Sequence, residues 1–231
     1  MQKTLDSIKT QIFKGFEVLI IDGNSSKDTQ DYLSKLKAPF FYTSQNDKGI
    51  YDAMNKGIIE SKGEWLFFLG SGDVFYNDDV LAIVFSSIKE NHSLVSGKVR
   101  YSGNTRPFIY SNYKTIKKPT WSYAMWFRNG LHHQGTFYRK NVFLETVYNL
   151  NYKILSDYWF HIYLFKKKTP CEILDVLITT CNSDGVSKKG YWKIYQEEIS
   201  LKINLSSVFL APLFYVISIV KYFLRKIINE S

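Results

Sequence analysis

Apolar positions along the first third of the chain switch back and forth between a helical and an extended period. Leu5, Ile8, Ile12 and Phe13 fall on one helical face and predict an amphipathic helix that starts almost at Met1 and ends near Gly15. The run FEVLIID, closed by Gly23-Asn24-Ser25-Ser26, predicts a buried strand entering a turn. Asp28 to Leu36 reads as a short helix stopped before Pro39, Phe40 to Ser44 as a strand, and Ile50 to Ser61 as a helix with Gly63 just beyond its end. Glu64 to Leu69 is then a strand delivered into Gly70-Ser71-Gly72-Asp73. The alternation predicts an α/β fold, a Rossmann-like, mainly parallel sheet flanked by helices, whose ligands gather at the carboxyl ends of the strands. The polar turns fall at those ends.

Further on the pattern loosens. Asp78 to Asn91 reads as a helix, and after it Gly103, Pro107 and Pro119 punctuate irregular sequence. A helix from Ser156 to Lys168, a strand around Glu172 to Thr180, a loop from Asp184 to Gly190 and a helix from Tyr191 to about Ile203 follow. From Val208 the run VFLAPLFYVISIVKYFLRKII is broken by Pro212 and Lys221, short of the ~20 unbroken apolar residues that span a bilayer comfortably. Ser218, Lys221, Arg225 and Asn229 form a polar stripe, so the run predicts an amphipathic helix lying in a membrane interface, with a packed or dimerisation helix and a true span as alternatives. Residues 1–190 are thus expected to be one domain and 191–231 a helical, membrane-associating tail.

Composition narrows the classes. A chain of 231 residues that is 45% hydrophobic can bury one core, which excludes a disordered or collagenous protein. The net charge of +9 is localised: no acidic residue lies between Glu90 and Glu145, while Lys98, Arg100, Arg106, Lys114, Lys117, Lys118, Arg128, Arg139 and Lys140 do. One basic segment points to a local anionic partner, such as a phosphate, a diphosphate-linked substrate or a headgroup layer, and a solvated basic face is the plain alternative. No nucleic-acid partner is expected, because no RNP, helix-turn-helix or zinc pattern accompanies the charge. Trp121, Tyr123, Trp126 and Phe127 in this segment are candidates for stacking on sugars or entering lipid, and equally for the core. Cys171 and Cys181 lack metal or redox spacing and read as reduced packing residues. Met1 leads into mixed sequence rather than a secretory leader, so a cytoplasmic location is expected.

Three features share the predicted ligand edge: Asp22, Asp47-Lys48-Gly49 and Asp73. Each alone is an ordinary turn or capping residue. Together they make a carboxylate-rich edge suited to a nucleobase, a ribose or a divalent cation on a diphosphate.

The segments FEVLIIDGNSSKDT, QNDKGIYDAMNKGIIESKGEWLFFLGSGD, HHQGTFYRK and SDYWFHI resemble the family-2 glycosyltransferases of bacterial surface-polysaccharide clusters, over residues 3 to about 190. The resemblance implies a GT-A fold and inverting transfer of a sugar from a nucleotide-diphosphate donor, UDP- or GDP-linked. It further implies that Asp22 contacts the nucleobase, that Asp47, Lys48 and Ser71 lie beside the nucleotide, and that Asp52 and Asn55 project toward the donor. Asp73 matches the last acid of the family's Mg²⁺ or Mn²⁺ turn, where Ser71 replaces a common first Asp. Asp157 stands at the position of the catalytic base, while its ordinary reading is a helix-start acid. His132, His133 and Gln134 match a motif near the acceptor or donor sugar. Read as a strand, the adjacent histidines would point to opposite faces, so that at most one faces the site.

The expected enzyme works peripherally on the inner face of the cell membrane on a polyprenyl-diphosphate-linked saccharide. Members of the resembled family open with a strand that precedes the first helix, and here the chain starts inside that helix. The expectation is a start placed too late and a native protein roughly 1.5 to 2 kDa heavier, with strands 17–22 and 64–69 either separated by a gap or forced together. The alternative is a truncated remnant that binds nucleotide sugar without turnover.

Overall fold

The computed structural model describes residues 1–103, 114–183 and 190–230, with side chains to 227 in the last helix. Arg106, Pro107, most of the 184–190 loop and the Asn229 side chain lie outside the described residues. In chain order the elements are α1 (Gln2–Lys9), β1 (Val18–Asp22), α2 (Lys27–Leu33), β2 (Phe40–Ser44), α3 (Ile50–Glu60), β3 (Trp65–Phe67), β4 (Val74–Phe75) and α4 (Val80–Ser87). They continue with β5 (Leu94–Ser102), β6 (Ile116–Lys117), β7 (Thr136–Arg139), α5 (Ser156–Lys166), β8 (Cys171–Asn182), α6 (Trp192–Leu205) and α7 (Ala211–Glu230). The helix-strand alternation of the first third is present as expected.

Two sheets form. β1 and β2 pair in parallel, Val18 opposite Phe40 and Asp22 opposite Ser44. The second sheet runs β3-β7-β5-β8-β4, with β6 added to β5. Within it only β5 and β8 are parallel, so this sheet is mixed where mainly parallel pairing was expected. Parallel neighbours need long crossovers, usually helical, and between β6 and β7 the irregular basic segment supplies short 3₁₀ turns instead. The α/β class stands.

β1 and β3 do not pair. Each has an edge without a neighbouring strand among the described residues, and a cavity of about 830 Å³ separates them, lined by Leu19, Ile21, Met54, Ile58, Leu66 and Phe85 among others. Of the two expected outcomes for these strands, the gap is the one observed. Glu17 bridges its near end, its Oε1 accepting from the Lys62 and Gly63 N–H groups at 2.6 and 3.0 Å.

Two cores pack on the second sheet. One side stacks Phe67 on Phe137 at 4.4 Å and collects Leu5, Ile8, Val80 and Val84 from α1 and α4. The other is built around α5, which is buried on nearly every face, with Tyr138, Phe143, Tyr148 and Phe160 interlocked. Leu201 and Leu205 of α6 belong to this second core.

α7 packs along α6 with an inverted pattern. Its stripe faces the protein: Ser218 is fully buried, and Lys221 Nζ donates to Glu198 and to the Phe127 carbonyl. Its apolar residues face outward, with Val216, Phe223 and Ile227 each more than half exposed. Glu198 also holds Lys202, whose side chain is wholly buried and whose ammonium is pushed down to about 8 by that burial. Removing one partner of a buried pair leaves the other charge uncompensated at a cost of about 3–5 kcal/mol. Glu198→Ala should therefore lower stability by about that amount in urea titrations, whereas Glu198→Gln, which keeps an acceptor, should lower it less.

Candidate active site

The turn after β3 is fixed before any ligand is considered. Gly72 takes a φ of +102°, open to glycine and strained for other residues, and this swings Asp73 back beneath the turn. Thr4 of α1 accepts through Oγ1 from the Gly72 N–H at 2.9 Å, so the first helix clamps the loop. The Asp73 carboxylate is buried, accepting from the Asn182 N–H at 3.1 Å and from Gln134 Nε2. Burial lifts its carboxyl above the ordinary value, against the lowering effect of Asn182, His133 and Gln134.

Asp157 occupies the first turn of α5, where the helix dipole favours an anion. The residue is only 9% exposed, yet both carboxylate oxygens are satisfied. Oδ1 accepts from the Tyr51 hydroxyl at 2.9 Å; Oδ2 accepts from Asn129 Nδ2 at 3.3 Å and meets His133 Nδ1 at 3.2 Å. Burial by itself would raise this carboxyl, but His133 and Tyr51, which hydrogen-bond it, hold it well below the ordinary range. Asn129 also links to His161 Nδ1 at 3.0 Å, and His161 Nε2 to the Tyr138 hydroxyl at 2.7 Å. Burial pushes His161 down to about 3, so this inner histidine is neutral.

His132 and His133 sit at a 3₁₀ turn, not in a strand. Their rings stack at 5.2 Å and 24°, so the opposite-face expectation is corrected. His132 uses Nδ1 to accept from the Gln134 N–H at 3.3 Å. His133 lines the cavity beside Gly70 and Ser71. The turn thus carries three motif residues with three tasks: His133 on Asp157, Gln134 on Asp73, and His132 capping.

A family model described as glycosyl transferase family 2 matches residues 1–166. The chain belongs to that family. Among its relatives, the PGL/p-HBAD biosynthesis glycosyltransferase of Mycobacterium bovis is 34% identical over 191 residues, covering 78% of this chain and 71% of that protein. Among solved structures, Staphylococcus aureus TarS in complex with UDP-GlcNAc superposes with a TM-score of 0.63 at 17% identity, over 88% of this chain and 62% of that one. The Pyrobaculum calidifontis mannosyltransferase PcManGT, in complex with GDP-Man and Mn²⁺, gives 0.60 at 14% identity, over 96% and 65%. These likenesses establish a GT-A-like fold, and the chain spans less than two thirds of both solved structures.

The remaining family-motif residues lie at the ends of β1 and β2. Asp22 is buried and accepts from the Ser25 N–H at 3.0 Å and the Ser44 hydroxyl at 2.8 Å, which hold its carboxyl low against burial. Asp47 accepts from the Gly49 N–H at 2.9 Å and approaches Gly23, joining the two turns. Lys48 is exposed, and Asp52 accepts from its N–H at 2.9 Å at the start of α3. Asn55 sits elsewhere: its amide clamps the Tyr148 backbone, donating at 2.9 Å and accepting at 3.0 Å inside the core. Tyr51 and Asn129, which position Asp157, carry little signal in the sequence: Tyr51 lies within DKGIYDAMNKGI, and Asn129 offers only an Asn-Gly pair, an ordinary turn signal.

A divalent cation fits this turn on modest terms. No group of three or more His, Cys, Asp or Glu able to hold a metal occurs among the described residues. Asp73 supplies one hard carboxylate, and Mg²⁺ accepts one protein carboxylate when substrate phosphates and waters complete its shell.

The acid sensitivity of the Asp157 centre follows from its depressed carboxyl. Stability from such a group is present above the unfolded value and lost as pH falls through the folded one. Urea midpoints from about pH 5 down to about pH 2 should therefore fall more steeply for the wild type than for Asp157→Asn.

Proposed function

We propose that this family-2 chain is an inverting glycosyltransferase of bacterial surface-glycan synthesis that moves a sugar from a UDP- or GDP-linked donor to a lipid-linked saccharide on the inner face of the cell membrane. The observation that carries the reading is the arrangement of Asp73 and Asp157 around one 3₁₀ turn, with Gln134 on the first and His133 on the second. One carboxylate serves the donor diphosphate and the other the acceptor hydroxyl. The nucleotide lies over the ends of β1 and β2, where Asp22, Asp47 and Lys48 gather and Ser71 faces it from the next turn. Asp73 would hold Mg²⁺ or Mn²⁺, which when bound neutralises charge developing on the leaving diphosphate. The acceptor hydroxyl gives up its proton at the Asp157 centre as its oxygen attacks the anomeric carbon from the face opposite the diphosphate. The UDP-GlcNAc and GDP-Man complexes of the structural neighbours support a nucleotide-sugar donor.

The lipid-linked acceptor and the membrane site rest on α7. Val208–Ile227 is apolar enough to cross a bilayer, with mean hydropathy 1.7, yet Lys221 ties the helix to Glu198 of α6 and Ser218 is buried against the protein. A helix attached along its length lies in the interface rather than across it, with its exposed apolar face in the acyl boundary. The Phe127 carbonyl accepts from Lys221, its ring is exposed, and Asn129, two residues on, donates to Asp157. The basic segment contributes less than its charge implies, because Lys98 pairs with Asp175, Lys117 donates to the Leu131 carbonyl and Arg139 lies against Glu64 and Trp65. Of its four aromatics, Trp121 and Trp126 pack against Phe165 and Phe214, while Tyr123 and Phe127 are exposed.

A second reading, nucleotide-sugar binding without turnover, is favoured by the open cavity between β1 and β3. Transfer assays with a panel of UDP- and GDP-sugars, Mn²⁺ and a lipid-linked acceptor separate the two. Asp157→Asn should lower transfer about 10²- to 10⁴-fold with donor affinity retained, and an inactive wild type that still binds donor would establish the second reading. Flotation with anionic vesicles tests the membrane surface: Val216→Asp combined with Val220→Asp, both at exposed positions, should release the protein from vesicles without changing its unfolding midpoint.

A further inference from the structure

One wall of the Asp157 centre is a segment that the last helix holds in place. Oδ1 of Asp157 accepts from Tyr51 and keeps lone-pair capacity for an acceptor hydroxyl, while Oδ2 is held by Asn129 Nδ2 at 3.3 Å. Asn129 follows the 3₁₀ turn Tyr123–Trp126, and its Oδ1 accepts from the Leu131 N–H at 3.3 Å and meets His161 Nδ1 at 3.0 Å. The chain around it is tied to several elements. The Tyr158 hydroxyl of α5 donates to the Met125 carbonyl at 2.5 Å, and Lys117 Nζ of β6 donates to the Leu131 carbonyl at 2.6 Å. A Cβ on Gly130 would lie 2.2 Å from the Thr120 carbonyl oxygen, so the backbone has no room to shift that way. Between these ties the Phe127 carbonyl, at the end of the 3₁₀ turn, is the kind of acceptor that a helical end leaves without a backbone donor. Its donor is Lys221 of α7. Trp126 stacks on Phe214 of the same helix, with centroids 6.3 Å apart and planes at 9°.

We propose that Lys221 is a positioning residue for the base: by holding the Phe127 carbonyl it keeps Asn129 on Asp157, so that α7 belongs to the catalytic machinery as well as to the lipid-facing surface. The inference rests on the transferase reading above. Two residues of chain, at most about 7 Å, separate the Lys221 contact from Asn129, too short a tether to absorb a displacement. A misplacement of about 1 Å at a reacting group costs up to about 10²-fold in rate. Glu198 does not depend on Lys221 for neutralisation, because Lys202 stays beside it at 2.5 Å. What Lys221 alone supplies is the bond to the segment that carries Asn129. The face of α7 away from this contact is apolar and exposed, so one helix meets the lipid surface and aims the carboxylate.

A double-mutant cycle on the full-length chain tests the assignment, with transfer measured in detergent micelles so that vesicle anchoring does not enter kcat. Lys221→Met keeps the apolar stem and removes the donors. It should lower kcat about 10- to 10²-fold with donor affinity within a few-fold, and Lys221→Arg should restore most of the loss. Asn129→Ala should lower kcat as well, and adding Lys221→Met to it should cost less than about twofold more, since both act through one contact. Unchanged kcat in Lys221→Met, or losses that multiply in the double variant, would overturn the proposal. Trp126→Leu loosens the same segment without touching the charges; its smaller loss should also vanish in the Asn129→Ala background, and multiplication there overturns the proposal too. Flotation of Lys221→Met with phosphatidylglycerol vesicles should be unchanged, because Val216, Val220 and Phe223 remain exposed, and loss of flotation in step with kcat would make Lys221 an anchoring residue instead. A readout that needs no turnover is ¹⁵N NMR of the Asn129 side-chain amide, identified by its disappearance in Asn129→Ala. Lys221→Met should shift or broaden that signal, and an unmoved signal overturns the proposal. An inactive wild type in which the signal does move overturns the transferase reading instead.

Discussion

A carboxylate taken out of water must find its hydrogen bonds in the protein, and this requirement at Asp157 ties the molecule together. The donors come from α3 through Tyr51, from the basic segment through Asn129, and from the 3₁₀ turn before β7 through His133. These segments lie far apart in sequence and meet at the start of one buried helix. Losing any donor would leave a desolvated charge short of a partner, which costs more than the hydrogen bond itself gains. The same arrangement that makes the carboxylate tolerable makes it rigid and lends its field to the histidine beside it. Stability and chemistry thus draw on one network.

Much of the frame was legible beforehand because periodicity reports burial directly. β2 and α3 begin where the pattern puts them, just after Pro39 and Gly49, and α5 begins at the expected Ser156. The strand sense in the second sheet was not, because direction is set by crossovers and the segment after residue 90 carries no local signal for them. The paired histidines show a different limit. Two adjacent residues alternate faces only in a strand, and a single 3₁₀ turn brought both rings to one side. Asn55 shows a third: an amide on the motif helix is equally suited to a ligand or to a backbone clamp, and only packing decides which. Asp73 and Asp157 were found through the resemblance, yet the residues that govern their behaviour, Gln134 and Tyr51, are defined by contacts more than 60 positions away in sequence.

The last helix illustrates how a polar stripe can be read from either side. Stripe and apolar face are both present in the sequence, and amphipathicity alone does not say which of them faces the protein. Here Glu198 decides, because a buried acid on α6 draws Lys221 inward and leaves the apolar residues outside. The tail is therefore attached by charge and finished by an oily exterior, the reverse of an ordinary surface helix.

The space between β1 and β3 bears on how the chain behaves in a crowded solution. Two strand edges face one another across a channel lined by Leu19, Ile21 and Leu66 together with Glu17, Glu64 and Arg139, and natural proteins normally blunt even one such edge with charge, proline or a covering element. Any extended apolar segment that enters gains hydrogen bonds on both flanks at once, so self-association should begin here rather than at the loops. Shelf life, and the yield of soluble material at high concentration, would then track how this channel is filled more closely than the melting temperature of the folded chain.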